Sequence, residues 1–139
     1  MNSQKTTDMT TLPNVVLQAF GDYPEDKQAT LLAIRELIFA VQKSDPEIGT
    51  IQEALRWGQL SFLTVNPKTG SMIRLALSKS GQPAMFFHCG TTLVETFRAQ
   101  FSHIFDFESN RAVVLQMPVE ETVAELSQCI KQALRYKLA

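Results

Sequence analysis

The sequence predicts an α+β domain, an antiparallel sheet of five to six strands with helices packed on one face. Three observations carry this expectation. Apolar residues recur at three- and four-residue steps from Leu31 to Val41 and again from Val123 to Leu134, the spacing of amphipathic helices. Between them, Gln59 to Cys89 breaks into short runs that alternate apolar and polar residues. Those runs are joined by Asn66-Pro67-Lys68-Thr69-Gly70 and Ser80-Gly81-Gln82-Pro83, both made of turn-forming residues. Strands joined so closely build an antiparallel meander.

The elements follow in order. Residues 1–11 are polar and aperiodic and are read as a flexible lead, with 12–139 as a single domain. Leu12 to Phe20 reads as a short helix with Pro13 in its first turn, stopped by Gly21. Pro24 suits the first position of the next helix, where its missing N–H costs nothing. Glu25 and Asp26 follow in the first turn, where the helix dipole favours negative charge. This helix ends near Lys43, before Asp45-Pro46.

Ile48 to Trp57 fits two patterns. Ile48, Ile51 and Leu55 suit a helix, whereas Ile51, Glu53, Leu55 and Trp57 suit one face of a strand. A strand over Ile51–Arg56 is preferred because the Gly58 break follows at once. Strands are expected over Gln59–Val65, Ser71–Lys79 and Ala84–Cys89. Thr92-Leu93-Val94-Glu95 reads as a capping box that opens a helix with Leu93, Val94, Phe97 and Phe101 inward. Ile104–Phe107 and Ala112–Met117 form a hairpin. A last helix follows Pro118, with Glu120 and Glu121 in its first turn, Lys131, Arg135 and Lys137 at its end, and Val123, Leu126, Ile130 and Leu134 inward.

Composition limits the function classes. With 45% apolar and 19% charged residues the chain is globular rather than disordered. A net charge of −1 argues against an electrostatic nucleic-acid binder, and no stretch approaches a membrane span. Cys89 and Cys129 form no CxxC pair and are read as free, buried thiols of a reducing compartment. The polar N-terminus lacks the apolar region of a signal peptide, so a cytoplasmic protein is expected.

The stretch Leu55-Arg56-Trp57-Gly58-Gln59-Leu60-Ser61-Phe62, with Tyr23-Pro24-Glu25-Asp26 before it and Phe86-Phe87-His88 after it, resembles the YdhG-like family of domains of unknown function. That family pairs a Tyr-Pro helix start with a Trp-Gly-x-Pro-x-Phe stretch leading into an antiparallel sheet. This chain carries Leu60 where the family usually has proline, so a stiffened start to the strand is lost. Some members are similar to frataxin-type iron chaperones, which implies iron held by exposed carboxylates. Glu25 and Asp26, and Glu121 and Glu125 one turn apart on the last helix, are the weak candidates for such a metal site. The resemblance implies no catalytic residue, and no other cofactor is expected.

Strand parity supplies the leading functional expectation. If Ile73, Leu75, Leu77, Met85 and Phe87 face the helices, then Arg74, Ser78, Phe86 and His88 face away. Arg56 joins them if the first strand is in matching register. Arg56, Trp57, Phe62, Arg74, Phe86 and His88 are the candidate ligand-binding residues. Guanidinium groups beside aromatic rings and an imidazole suit a small anionic ligand or a protein partner. The plainer readings stand beside this one: Trp57 as a buried core anchor, and the second face as an ordinary solvated surface. Leu55 to Thr64 would then be the hinge joining the helical third to the sheet. Self-association into a homodimer, through an unshielded edge strand or the Phe86 face, is a further expectation. His88 and Cys89 are adjacent and point oppositely on a strand, so they cannot share a zinc ion. No nucleophile motif such as GxSxG occurs.

Overall fold

A six-stranded antiparallel sheet carries four helices on one face. The computed structural model describes residues 12–138. The helices are α1 (Asn14–Phe20), α2 (Glu25–Ser44), α3 (Leu93–Phe101) and α4 (Val123–Leu134). The strands are β1 (Thr50–Arg56), β2 (Gln59–Val65), β3 (Ile73–Leu77), β4 (Pro83–Phe86), β5 (Phe105–Glu108) and β6 (Ala112–Leu115), in the spatial order β1-β2-β3-β4-β6-β5. The lead expected over residues 1–11 lies outside the described residues. No helix among the described residues is long and apolar enough to cross a membrane.

Parity in the sheet assigns every side chain to a face. Directly opposed residues point the same way. Leu60, Phe62, Ile73, Leu75, Met85, Phe87, Val113 and Leu115 form the inner face and are buried against Val16, Phe20, Leu31, Ile34, Ile38, Phe97, Leu126 and Ile130 from the helices. Ile51, Glu53 and Leu55 pair with Thr64, Phe62 and Leu60, so they share that face. The ambiguous segment is therefore a strand, and Arg35 of α2 holds it through two hydrogen bonds to Glu53, 2.6 and 2.9 Å. The outer face has its own small buried cluster, Ala84, Ala112 and Val114 under Phe86, and no helical residue belongs to it.

Several expected boundaries move. Pro13 and Pro24 sit one residue before their helices, at ψ near 150°, rather than inside the first turn. The Thr92–Glu95 capping box does not form. Thr91 Oγ1 instead accepts the Leu93 N–H at 3.3 Å. The last helix starts later than expected: Val119–Glu121 is a separate 3-10 turn, and Thr122, at φ −131°, breaks the chain before Val123. Glu120 and Glu121 thus lie outside α4, Arg135 and Lys137 lie beyond its end, and Val123 is exposed rather than in the core. Cys129 is buried as expected, but Cys89 is exposed, because β4 ends at Phe86 and alternation does not extend past Phe87. Ser78, just past the end of β3, is buried and lines a cleft with the outer-face residues Phe86 and Glu108.

One knot of hydrogen bonds ties the end of α4 to the sheet. The buried Thr69 hydroxyl donates to the Leu134 carbonyl at 2.9 Å and accepts the Gly49 N–H at 3.1 Å. The Thr64 hydroxyl accepts the N–H groups of Thr69 and Gly70. Gly70 is glycine for lack of room: a Cβ there would lie 2.4 Å from the Ala133 carbonyl oxygen. Arg135 adds a second tie, donating to Asp45 and Glu47 at 2.8 Å each. The Glu47 N–H, and Arg135 beside it, hold the Asp45 carboxyl below the ordinary carboxylate range. Thr69→Val keeps the shape but leaves the Leu134 carbonyl and the Gly49 N–H without partners, so it should lower the unfolding free energy by about 2–4 kcal/mol. Urea denaturation of the two proteins checks this.

Candidate functional site

The outer sheet face is where chemistry collects. Arg56↔Gln59 is the last pair of β1 and β2, so Trp57-Gly58 is a two-residue hairpin loop. Both residues have positive φ, 54° and 75°, the combination a type I′ turn requires. Glycine suits its position. A bulky residue at positive φ is strained, by about 1–3 kcal/mol. Trp57 is therefore neither a core anchor nor part of a hinge. It stands at a hairpin tip, 78% exposed, and the helical third joins the sheet instead through Asp45–Gly49.

The Trp57 ring is nonetheless held. Arg74 projects from β3 on the outer face, its guanidinium carbon 5.1 Å from the Trp57 ring centroid and 5.6 Å from that of Phe86. Arg74↔Phe86 is a direct cross-strand pair, and the Gln59 side chain accepts from Arg74 Nη1 at 2.6 Å. A cation between two aromatic rings thus braces the hairpin tip against the middle of the sheet. Burial, with Arg111 nearby, lowers the Arg74 pKa from its ordinary value. Phe86 is half-buried under this contact rather than freely exposed.

Beside this stack a cleft of about 380 Å³ runs along β2, from Arg56 and Trp57 at its first end to Val65 and Lys68 beyond its last. Leu63 and Met72 form its floor, and His88 and Lys137 complete its wall. Four basic side chains, Arg56, Lys68, His88 and Lys137, line it, and among the described residues no acidic one does. All four are exposed. The acidic residues that the register places on this sheet face, Gln52 and Ser61 being neutral, are Asp106 and Glu108, on β5 at the far edge. His88 Nδ1 accepts the Gly90 N–H at 2.9 Å, which leaves the neutral ring's proton on Nε2 as a donor.

Of the six candidate residues, Arg56, Trp57 and His88 line the cleft, while Arg74 and Phe86 brace Trp57. Phe62 does not belong: it is fully buried on the inner face, edge-on to Phe39 of α2. Its assignment to the site came from nearness in sequence to Trp57, which parity overrules. Lys68, Met72, Gln59, Arg111 and Lys137 were not among the candidates. No local signal marks Lys68 or Lys137, because they meet only through the knot at Thr69, whose carbonyl accepts the Lys137 N–H at 2.8 Å.

The carboxylates proposed for iron do not assemble. Glu25 and Asp26 begin α2, Glu121 lies in the 3-10 turn and Glu125 in the first turn of α4, so the last two do not share one helix. Among the described residues no group of three or more His, Cys, Asp or Glu gathers around a point that could hold a metal ion. Two other clefts are less suited to an anion. One between α3 and α4 contains Lys131 and Arg135, but Arg135 is taken by Asp45 and Glu47. One along α2, floored by Ala29, Ala33 and Ala40, carries only Glu36 and Glu120 as charges.

Comparison of the chain with protein-family models, with curated proteins and with solved structures finds no match.

Two outcomes follow from this geometry. Trp57→Asn replaces the strained residue with one that tolerates positive φ, at the loss of one cation–π contact. A net gain of about 1 kcal/mol is expected, read from chemical denaturation. Burial pushes the Cys129 thiol up to about 12, so almost no thiolate forms at mildly alkaline pH. A disulfide-exchange thiol assay should therefore titrate Cys89 alone in the native protein and Cys129 only after unfolding.

Proposed function

We propose that the chain is a binding module for a small anionic ligand, with the cleft on the outer sheet face as its site. One observation carries this reading: Arg56, Lys68, His88 and Lys137, drawn from four separate parts of the chain, surround one cleft with no acidic side chain among the described residues on its walls. Arg56, Lys68 and Lys137 as cations, with the His88 Nε2–H as a further donor, favour an anion and cost little to rearrange when it arrives. Leu63 and Met72 add apolar surface to the cleft beside these groups. The YdhG-like assignment is carried with this proposal. Its residues Trp57, Gly58, Phe86 and His88 border the outer face, so the features that suggest the family also frame the site. A cytoplasmic setting goes with the same reading.

Calorimetry with inorganic phosphate and with citrate at low ionic strength tests the proposal. Binding should weaken as salt is raised. Replacing Arg56, Lys68 and Lys137 together by Gln should weaken it by about tenfold or more, while Asp106→Asn at the far edge should leave it unchanged. No measurable binding of either anion to the native protein would overturn the reading.

A further inference from the structure

Trp57 distinguishes this cleft from a plain anion trap. Trp57 is among the residues that line the cleft, whereas Arg74, 5.1 Å from its ring centroid, is not. The guanidinium occupies one approach to the indole, and Trp57 is still 78% exposed, so much of the ring is open to a ligand. The ring is also positioned before any ligand arrives. Arg74 is fixed by Gln59 and Phe86, and the two-residue loop allows the backbone little freedom. A side chain ordered in this way gives up little entropy on stacking. An inorganic anion would engage the cations and leave this ring unused.

We infer that the ligand is a planar aromatic ring carrying a phosphate, of the nucleoside monophosphate class, with the ring stacked on Trp57 and the phosphate among Lys68, His88 and Lys137. This rests on the reading of the cleft as an anion site. A phosphate's double charge matches a wall of four basic groups better than a single carboxylate does. The cleft volume, about 380 Å³, is within the usual range for sites of small molecules. A long polyanion is disfavoured by the net charge of −1 and by Asp106 and Glu108 on the same face.

The chain has one tryptophan, so its emission reports Trp57 alone. AMP should quench that emission saturably and ribose phosphate should not. By calorimetry AMP should bind about tenfold more tightly than ribose phosphate. Trp57→Leu should reduce AMP to the affinity that ribose phosphate has for the native protein, with an unchanged far-ultraviolet circular dichroism spectrum showing that the variant is folded. If both phosphates bind the native protein equally, stacking is overturned while the anion site stands. Adenosine binding as tightly as AMP would overturn the phosphate assignment. A short thymidine oligonucleotide binding far more tightly than AMP would overturn the inference in favour of a single-stranded nucleic-acid groove. If neither inorganic phosphate nor citrate binds, the anion reading falls and this inference with it.

Discussion

The hydroxyl of Thr69 is the contact on which the site depends. It is buried and bonded on both sides, to the Leu134 carbonyl and to the Gly49 N–H. Three segments distant in sequence therefore meet at one side chain. An unpaired polar group in such a place is costly, so the arrangement is held as a unit. Lys68 precedes the knot directly, and the Lys137 N–H donates to the Thr69 carbonyl. Two cleft cations on flexible, exposed side chains thus have rigidly placed backbones. The absence of a side chain at Gly70 permits the close approach of β3's leading loop to the end of α4.

The opposite end of the cleft is built differently. There an exposed tryptophan is kept in a backbone conformation that disfavours it. The Arg74 stack offsets part of that strain, since a cation held between two rings is worth about 0.5–1 kcal/mol per contact at exposed sites. A hairpin selected for stability alone would place Asn or Gly at this position. Strain without a structural return is commonest where a side chain has other work. The two ends also differ in how they would tolerate change. The knot is buried and unforgiving, whereas the hairpin tip is open to substitution without loss of the fold.

The two sheet faces divide the labour. The inner face supplies the core, in which Phe62, Phe87 and Phe105 meet Phe39, Phe97 and Phe101 edge-on. The outer face is floored by small side chains, Ser61, Ala76, Ala84 and Ala112, which are buried without any helix over them. Arg74 and Phe86 lie across that floor. Small floor residues let these long side chains lie flat, which brings the guanidinium within reach of Trp57.

Much of this architecture was legible in the residues alone. Period-two alternation placed β2 at Gln59–Val65, and set Arg74 and Phe86 opposite Leu75 and Met85. Helical spacing placed Leu31, Ile34 and Ile38 in the core, and the identity of residues 51–56 as a strand followed from the break after them. These features are readable because side-chain periodicity is a local property of the backbone. Positions at element ends were not. Parity lapses where a strand stops, as at Cys89, and helix starts depend on caps that Thr92 and Thr122 do not provide. The exposure of Trp57 follows from the hairpin register, which the hydrophobicity of its ring does not convey. By itself the sequence determined the fold class, the two sheet faces and half the cleft wall, at Arg56, Trp57 and His88. Alternation within β2 also sets Phe62 on the inner face with Leu60. The tertiary structure alone decided that Lys68 and Lys137 complete the wall, because that depends on which distant segments the buried Thr69 hydrogen bonds bring together, and no local pattern encodes it.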